Sequence, residues 1–355
     1  MDLRELFTPA AIAAVWEEVM SNQTPYLGTA LFPARKKAGL DLSWIKGSKG
    51  LPVSLMPSAF DAKATFRDRI GVQKLETEMP FFREGFKIKE KDRQELLRIM
   101  ETDSPYLREI MGRVFDDANE LISGANVVPE RMIMQLLFAV NGDAGISIKA
   151  NDVDYTYNYD PDGEWKASNY FALTGNRKWN VTDKANPFED IRTAKTAVRT
   201  KTGTELTMAV MNSSTFNLLG QTDAIKNRFL TTLGATIGFI SDADVVKVMQ
   251  DVAGVTPIVY DKQYKNESGV AASFVPDGYV SLLPEGPLGN TWYGTTPEEA
   301  DLQSGQSKAK VAIVNTGVTV TQILDEHPVN VNTFASEIVL PSFERMNETA
   351  LMKVT

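Results

Sequence analysis

Acidic and amide side chains gather between residues 152 and 162, where they could do two kinds of chemistry. Asn158-Tyr-Asp160-Pro-Asp162-Gly163 imitates the opening of a calcium loop, whose alternate oxygens ligate a hard cation. The twelfth position of such a loop needs a bidentate Glu, and Asn169 stands there without flanking helices. Asp, Pro and Gly are also ordinary turn residues, and a plain turn explains the run better. Asp152 and Asp154 share one strand face by their i, i+2 spacing and could pair as carboxylates for general acid–base work. A solvated strand edge accounts for them more simply. A metal- or carboxylate-dependent enzyme built on this cluster would lose activity on Asp160→Ala and would run as a monomer or small oligomer. The one histidine, His327, stands in Glu326-His-Pro328 at a strand edge, which suits a loop residue better than a proton shuttle. No Ser-His-Asp arrangement, Gly-x-Ser-x-Gly, Walker-type loop or dinucleotide fingerprint is readable. Cysteine is absent, which removes disulfides, zinc thiolates and thiol nucleophiles. No cofactor is expected.

A second set of residues suggests contact chemistry. Lys46 and Lys49 flank Gly47, and Trp44, Leu51, Leu55 and Phe60 lie close by. The lysines suit an exposed ribbon that must stay soluble. The apolar four are hard to explain in a loop that faces only water. They are the candidate inter-subunit contacts.

The elements around these residues point the same way. Residues 1–34 read as an N-terminal arm with one helix, opened by Thr8-Pro9 and closed by Ser21-Asn22. Its stripe is Phe7, Ile12, Val15, Trp16 and Val19. The helix either docks on its own core or lies on a neighbour. Residues 35–66 form an extended loop with Gly39, Gly47, Gly50, Pro52 and Pro57 among strand-like pieces; across the strand-like stretch 35–82 the best candidates are Leu51–Met56 and Ala64–Ile70. An isolated two-stranded ribbon is marginal in water, so this one folds back or lies across another subunit. Ser104 caps a long helix to Gly124, with Leu107, Ile110, Met111, Val114, Ala118, Leu121 and Ile122 on one face. About 20 residues at 1.5 Å per residue span roughly 30 Å. A second helix is expected from Pro129, closed by Asn141-Gly142. Residues 145–185 are β-like. Helices are expected at 187–200, in two short pieces near 213–231, and at 242–253. Strands are expected at 206–211, at 255–260 and 279–283 joined through Asn266-Glu-Ser-Gly269, and in the tail at 318–321, 337–340 and 349–354.

Composition sets the outer bounds. The chain has 355 residues with 43% hydrophobic and 23% charged, enough apolar material for a packed core. Acids outnumber bases 46 to 37, for a net charge of −9. Tight non-specific nucleic-acid binding works by counterion release to clustered Lys and Arg, so a dedicated nucleic-acid binder is not expected. The opening MDLRELFTPAAIAAVWEEVM has mixed charges and a broken apolar run, unlike a signal peptide. The longest apolar stretch, Met132 to Val140, is too short to span a bilayer.

The order of these elements resembles the major capsid protein of lambda-like tailed bacteriophages, the protein E family. The N-arm, the glycine-bearing loop and the helix from Ser104 come in that family's order. Ile258-Val-Tyr-Asp, Tyr264, Phe274-Val-Pro-Asp277, Leu282-Leu283, Gly289 and Tyr293-Gly294 are similar to its pattern, and so is Asn332-Thr-Phe-Ala-Ser-Glu-Ile-Val-Leu-Pro341. The resemblance implies an α+β, Hong Kong 97-type capsid fold. It divides the chain into an N-terminal arm (1–34), an extended loop (35–66), a peripheral domain with the spine helix (67–185 and 318–355) and an axial domain (186–317). It further implies pentamers and hexamers in an icosahedral shell around double-stranded DNA, built in the host cytoplasm and carried in the virion. Partners would be a separate scaffolding protein, a portal, a maturation protease and a decoration protein, with no membrane. An encapsulin-like shell for enzyme cargo is the alternative on the same fold. Some relatives cross-link Lys to Asn between subunits, for which Lys46 and Lys49 are suggestively placed.

Overall fold

The computed structural model describes residues 8–21, 24–46, 73–88, 94, 105–150, 153–233, 240–304, 309–314, 316–326 and 329–355. The described elements begin with α1 (Pro9–Ser21), α2 (Leu27–Leu31), β1 (Ala34–Lys36), β2 (Asp41–Lys46), β3 (Gln73–Glu78), β4 (Phe81–Ile88) and α3 (Pro105–Leu137). Then come β5 (Gly145–Ala150), β6 (Val153–Asn158), α4 (Glu164–Asn169), β7 (Tyr170–Ala172), α5 (Pro187–Thr202), β8 (Met208–Met211), α6 (Ser213–Gln221), α7 (Asp223–Leu233) and α8 (Asp242–Ala253). The rest are β9 (Thr256–Val259), β10 (Gln263–Lys265), β11 (Ala271–Ser273), β12 (Tyr279–Leu283), β13 (Asn290–Tyr293), α9 (Pro297–Ser304), β14 (Lys310–Val314), β15 (Val318–Glu326), β16 (Val329–Ser342) and β17 (Ala350–Lys353).

Compactness divides the chain into two units. The first holds residues 1–42, 76–132 and 290–342, and the second holds 43–75, 133–289 and 343–355. The sequence division at 185/186 and 317/318 was drawn on likeness of role. Compactness draws its own lines, because β13 pairs with β16 and so joins the first unit.

The first unit is organised by β16. This 14-residue strand pairs with β15 along residues 329–336, with β13 along 339–342 and with β4 along 331–338. The sheet order is β1-β13-β16-β15-β14. One face is covered by α1. Thr8 opens that helix, its hydroxyl accepting from Ala11 N–H at 3.2 Å. Ile12 and Trp16, each 1% exposed, pack with Ile122, Val314, Val318, Val320 and Ala335. Of the two readings of the N-terminal helix, docking on its own core is what the fold shows.

The long helix differs from expectation. Gly124 does not stop it and Pro129 does not start another; α3 is continuous from Pro105 to Leu137. Proline removes an N–H and crowds the preceding turn, and glycine costs backbone entropy. Packing outweighs both. Ile122, Pro129, Met132 and Ile133 are buried. Glu130, 2% exposed, accepts Gly28 N–H at 2.9 Å, and Asn126 Nδ2 donates to the Ile122 carbonyl at 3.0 Å in the turn before the proline. The Ser104 cap and the stripe from Leu107 to Ala118, Ile110 included, lie outside the described residues or side chains.

The second unit is built on a five-stranded mixed sheet, β7-β17-β12-β8-β9. Helices α5 and α8 cover it through Ile191, Ala194, Val198, Val245 and Met249. Helix α5 starts as expected at Pro187, with Asn186 Oδ1 accepting from Glu189 N–H. Asp190, 4% exposed, accepts from Arg177 and, at 3.2 Å, from the indole N–H of the fully buried Trp179. The Asn266–Gly269 turn does not join β9 to β12. It closes its own hairpin, β10–β11, while β9 and β12 both pair with β8. Asn266 Oδ1 accepts from the N–H groups of Ser268 and Val270, and Gly269 takes the positive φ of 74°. That turn is locally complete, which the sequence pattern alone could not distinguish from a connection between sheet strands.

Candidate assembly surface

Strand β2 places the first of the expected contact residues. Its exposure alternates, with Asp41 and Ser43 out and Leu42 and Trp44 in. Trp44 is 8% exposed, and its ring lies tilted on Tyr159 with centroids 5.1 Å apart. So little of its surface is open that it serves as an anchor within the subunit. Burial, then the neighbouring Tyr157 and the negative charge of Glu344, drives the Tyr159 phenol well above the usual tyrosine range. Lys46 ends β2. Lys49, Leu51, Leu55 and Phe60 fall in 47–72, outside the described residues, as do the expected strands at 51–56 and 64–70. What is described is the root: β2 and β3 form a two-stranded sheet, so the chain leaves at Lys46 and returns at Gln73 between paired strands. Met79 N–H donates to the Leu40 carbonyl at 2.8 Å and closes the base.

The carboxylates that could have been a catalytic centre are taken up locally. Asp160 gives both oxygens to the start of α4, accepting Trp165 N–H at 3.0 Å and Lys166 N–H at 2.9 Å. Asn158 Oδ1 accepts Asp160 N–H, and Asp162 accepts Glu164 N–H. The run is a turn and helix start. Asp154 is bound by Lys149 at 2.7 Å and by the Thr156 hydroxyl. The hydrogen bond from Lys149, then that from Thr156, holds its carboxyl below the usual range. Asp152 and His327 lie outside the described residues. Among the described residues no cluster of three or more His, Asp or Glu could hold a metal. An open groove along α5 and α8 is lined by Phe188, Ala197 and Val252 with Glu189 and Arg192.

Sequence reasoning missed the polar layer on the β16 sheet. Glu298 of α9 pairs with Arg83 of β4 and accepts from the Ser336 hydroxyl at 3.1 Å. Glu299 pairs with Lys36 at 2.6 Å, and Thr296 donates to Thr319 at 3.0 Å. It also missed Glu337, which is 1% exposed. The signal was present: alternation through Ala335, Glu337 and Val339 puts a carboxyl on a core face.

A family model described as phage major capsid protein E matches residues 8–354. The chain belongs to that family. The capsid protein also matches solved structures over nearly its whole length. A putative capsid protein of an Escherichia coli CFT073 prophage is 12% identical, with 98% of this chain and 99% of that chain covered at a TM-score of 0.60. A phage-related protein from Bordetella bronchiseptica RB50 is 13% identical, with 96% of each chain covered at 0.56. The capsid of cyanophage P-SCSP1u gives 10% identity, coverage of 94% and 89%, and 0.51. At such identities the likeness establishes fold alone, and that fold is the mixed helix–strand, Hong Kong 97-type capsid fold. No curated protein matches. The chain is thus a major capsid protein of tailed phages, a structural component of the virion that assembles into a shell. The encapsulin alternative is not favoured. No helix among the described residues is long and apolar enough to cross a membrane.

Proposed function

We propose that the capsid protein forms pentamers and hexamers that close an icosahedral shell around double-stranded DNA without reading its sequence. The observation that carries this reading is the family match over residues 8–354. In it, the segment beyond β2 lies on a neighbouring subunit through Lys46, Lys49, Leu51, Leu55 and Phe60, with Trp44 fixing its root. The paired base at β2 and β3 supports this, because it holds the two ends of that segment side by side. The first unit takes the peripheral role and the second the axial one. Assembly in the host cytoplasm uses a separate scaffolding protein, a portal, a maturation protease and a decoration protein. The protein has no catalytic activity; the Asp154 and Asp160 carboxylates serve local structure.

Replacing residues 48–71 by a short Gly-containing turn tests the excursion. The variant should stay folded by circular dichroism and lose particle formation in electron micrographs. Particles indistinguishable from wild type would remove the excursion from the assembly contact.

A further inference from the structure

Strand β16 carries a carboxylic acid where a core residue belongs. Both Glu337 oxygens are buried and have no hydrogen-bond partner among the described residues. The residue sits where β16 changes neighbours. The β15 ladder ends at Thr319 opposite Ser336, and the β13 ladder begins at Tyr293 opposite Val339. On the other side Phe82 of β4 is opposite Glu337. Strand alternation gives it the face of Ala335, on which α1 packs.

Among the described residues, that face offers almost nothing to a negative charge. From β13 comes Tyr293, whose phenol is raised first by burial and then by Glu337. From β4 comes Glu84, exposed and opposite Ala335. The β15 residues nearest it on this face are Val318 and Val320, with the buried Gln322 further along, opposite Thr333. Helix α1 packs there with Ile12, Ala13 and Trp16, and α3 with Leu121, Ile122 and Ala125. The Trp16 indole N–H is itself buried with no partner among the described residues. A neutral acid is tolerable in such a place, whereas an ionised one lacking donors is far costlier. Burial alone accounts for the raised carboxyl of Glu337.

We propose that Glu337 is a proton-operated switch at the strand crossover of the first unit. Protonated, it lets the two ladders meet beneath the N-terminal helix; ionised, it forces that face open. The step is a simple acid dissociation. The carboxyl O–H bond breaks, water or buffer takes the proton, and the carboxylate left behind must gain water or a donor such as the Trp16 indole. The device belongs to the subunit and stands apart from the shell reading. In the opened state the group ionises near the ordinary glutamate value of about 4.3. Its folded value is raised, so the closed state is favoured fully below that pH and loses ground as pH rises. The loss is about tenfold in the opening constant per pH unit while the buried group keeps its proton.

Amide hydrogen exchange on the full-length chain tests this between about pH 5 and 8. In the wild type, protection at residues 336–340 and along α1 should fall about tenfold per pH unit relative to Glu337→Gln. Equal pH slopes in the two proteins overturn the proposal. Should Glu337→Gln fail to fold, Glu337→Met carries the same expectation with no titrating group. Infrared spectra of the wild type provide an independent reading. A protonated carboxyl band that persists at neutral pH, across the range in which exchange accelerates, supports the switch, and its absence overturns it.

Discussion

Asp190 shows how one side chain can hold a unit together. It is 4% exposed and receives two N–H bonds from Arg177 and one from Trp179. Arg177 is largely in water, so its loss of a partner matters little. Trp179 is 0% exposed and would keep an unsatisfied indole N–H. Asp190→Ala should therefore cost about 2 kcal/mol, seen as a lower urea midpoint with unchanged slope. Gly278 argues from backbone instead. Its φ is 73°, and an added Cβ would meet the Thr355 side chain. Gly278→Ala should destabilise by more than the ~1–2 kcal/mol of a left-handed alanine, measured in the same titration. Neither residue was legible as special in the sequence. A buried acid reads like a helix-surface acid until its partners are known, and Gly278 stands in an ordinary Asp-Gly pair.

The helices show what local pattern can and cannot decide. Helices α1, α5 and α8 fall where caps and apolar spacing put them, because Thr8, Asn186 and Ser241 complete their first turns within the segment itself. Local signals divide helix α3 in two, with Gly124 as a stop and Pro129 as a first-turn residue. What overrides them is non-local: Gly28 on Glu130 and the packed Met132 and Ile133. The excess cost of the glycine is then removable. An added Cβ at Gly124 meets nothing within 4 Å. Gly124→Ala should stabilise by about 1 kcal/mol, raising the urea midpoint. A fall there would mean that the helix needs its glycine. The strands follow the same division. Residues 318–321 and 337–340 were legible as strand, yet the change of partner within β16 and the separate β10–β11 hairpin depend on pairings that no local pattern specifies.

For the whole molecule, membership of the protein E family was legible in the sequence, and the family match bears it out over residues 8–354. Of the candidate contact set, the described residues include Trp44 and Lys46. Trp44 drew attention as an unexplained apolar residue, and its explanation is Tyr159 in the same unit. The polar layer of Glu298, Glu299, Lys36 and Arg83 escaped notice because its members are scattered between residues 36 and 299. The central claim is that copies of this chain build a shell. Size-exclusion chromatography with negative-stain electron microscopy tests it most directly, on the chain expressed alone and together with the gene beside its own. Rings, tubes or closed particles of megadalton size are expected in at least one preparation. A strictly monomeric protein in both would contradict it.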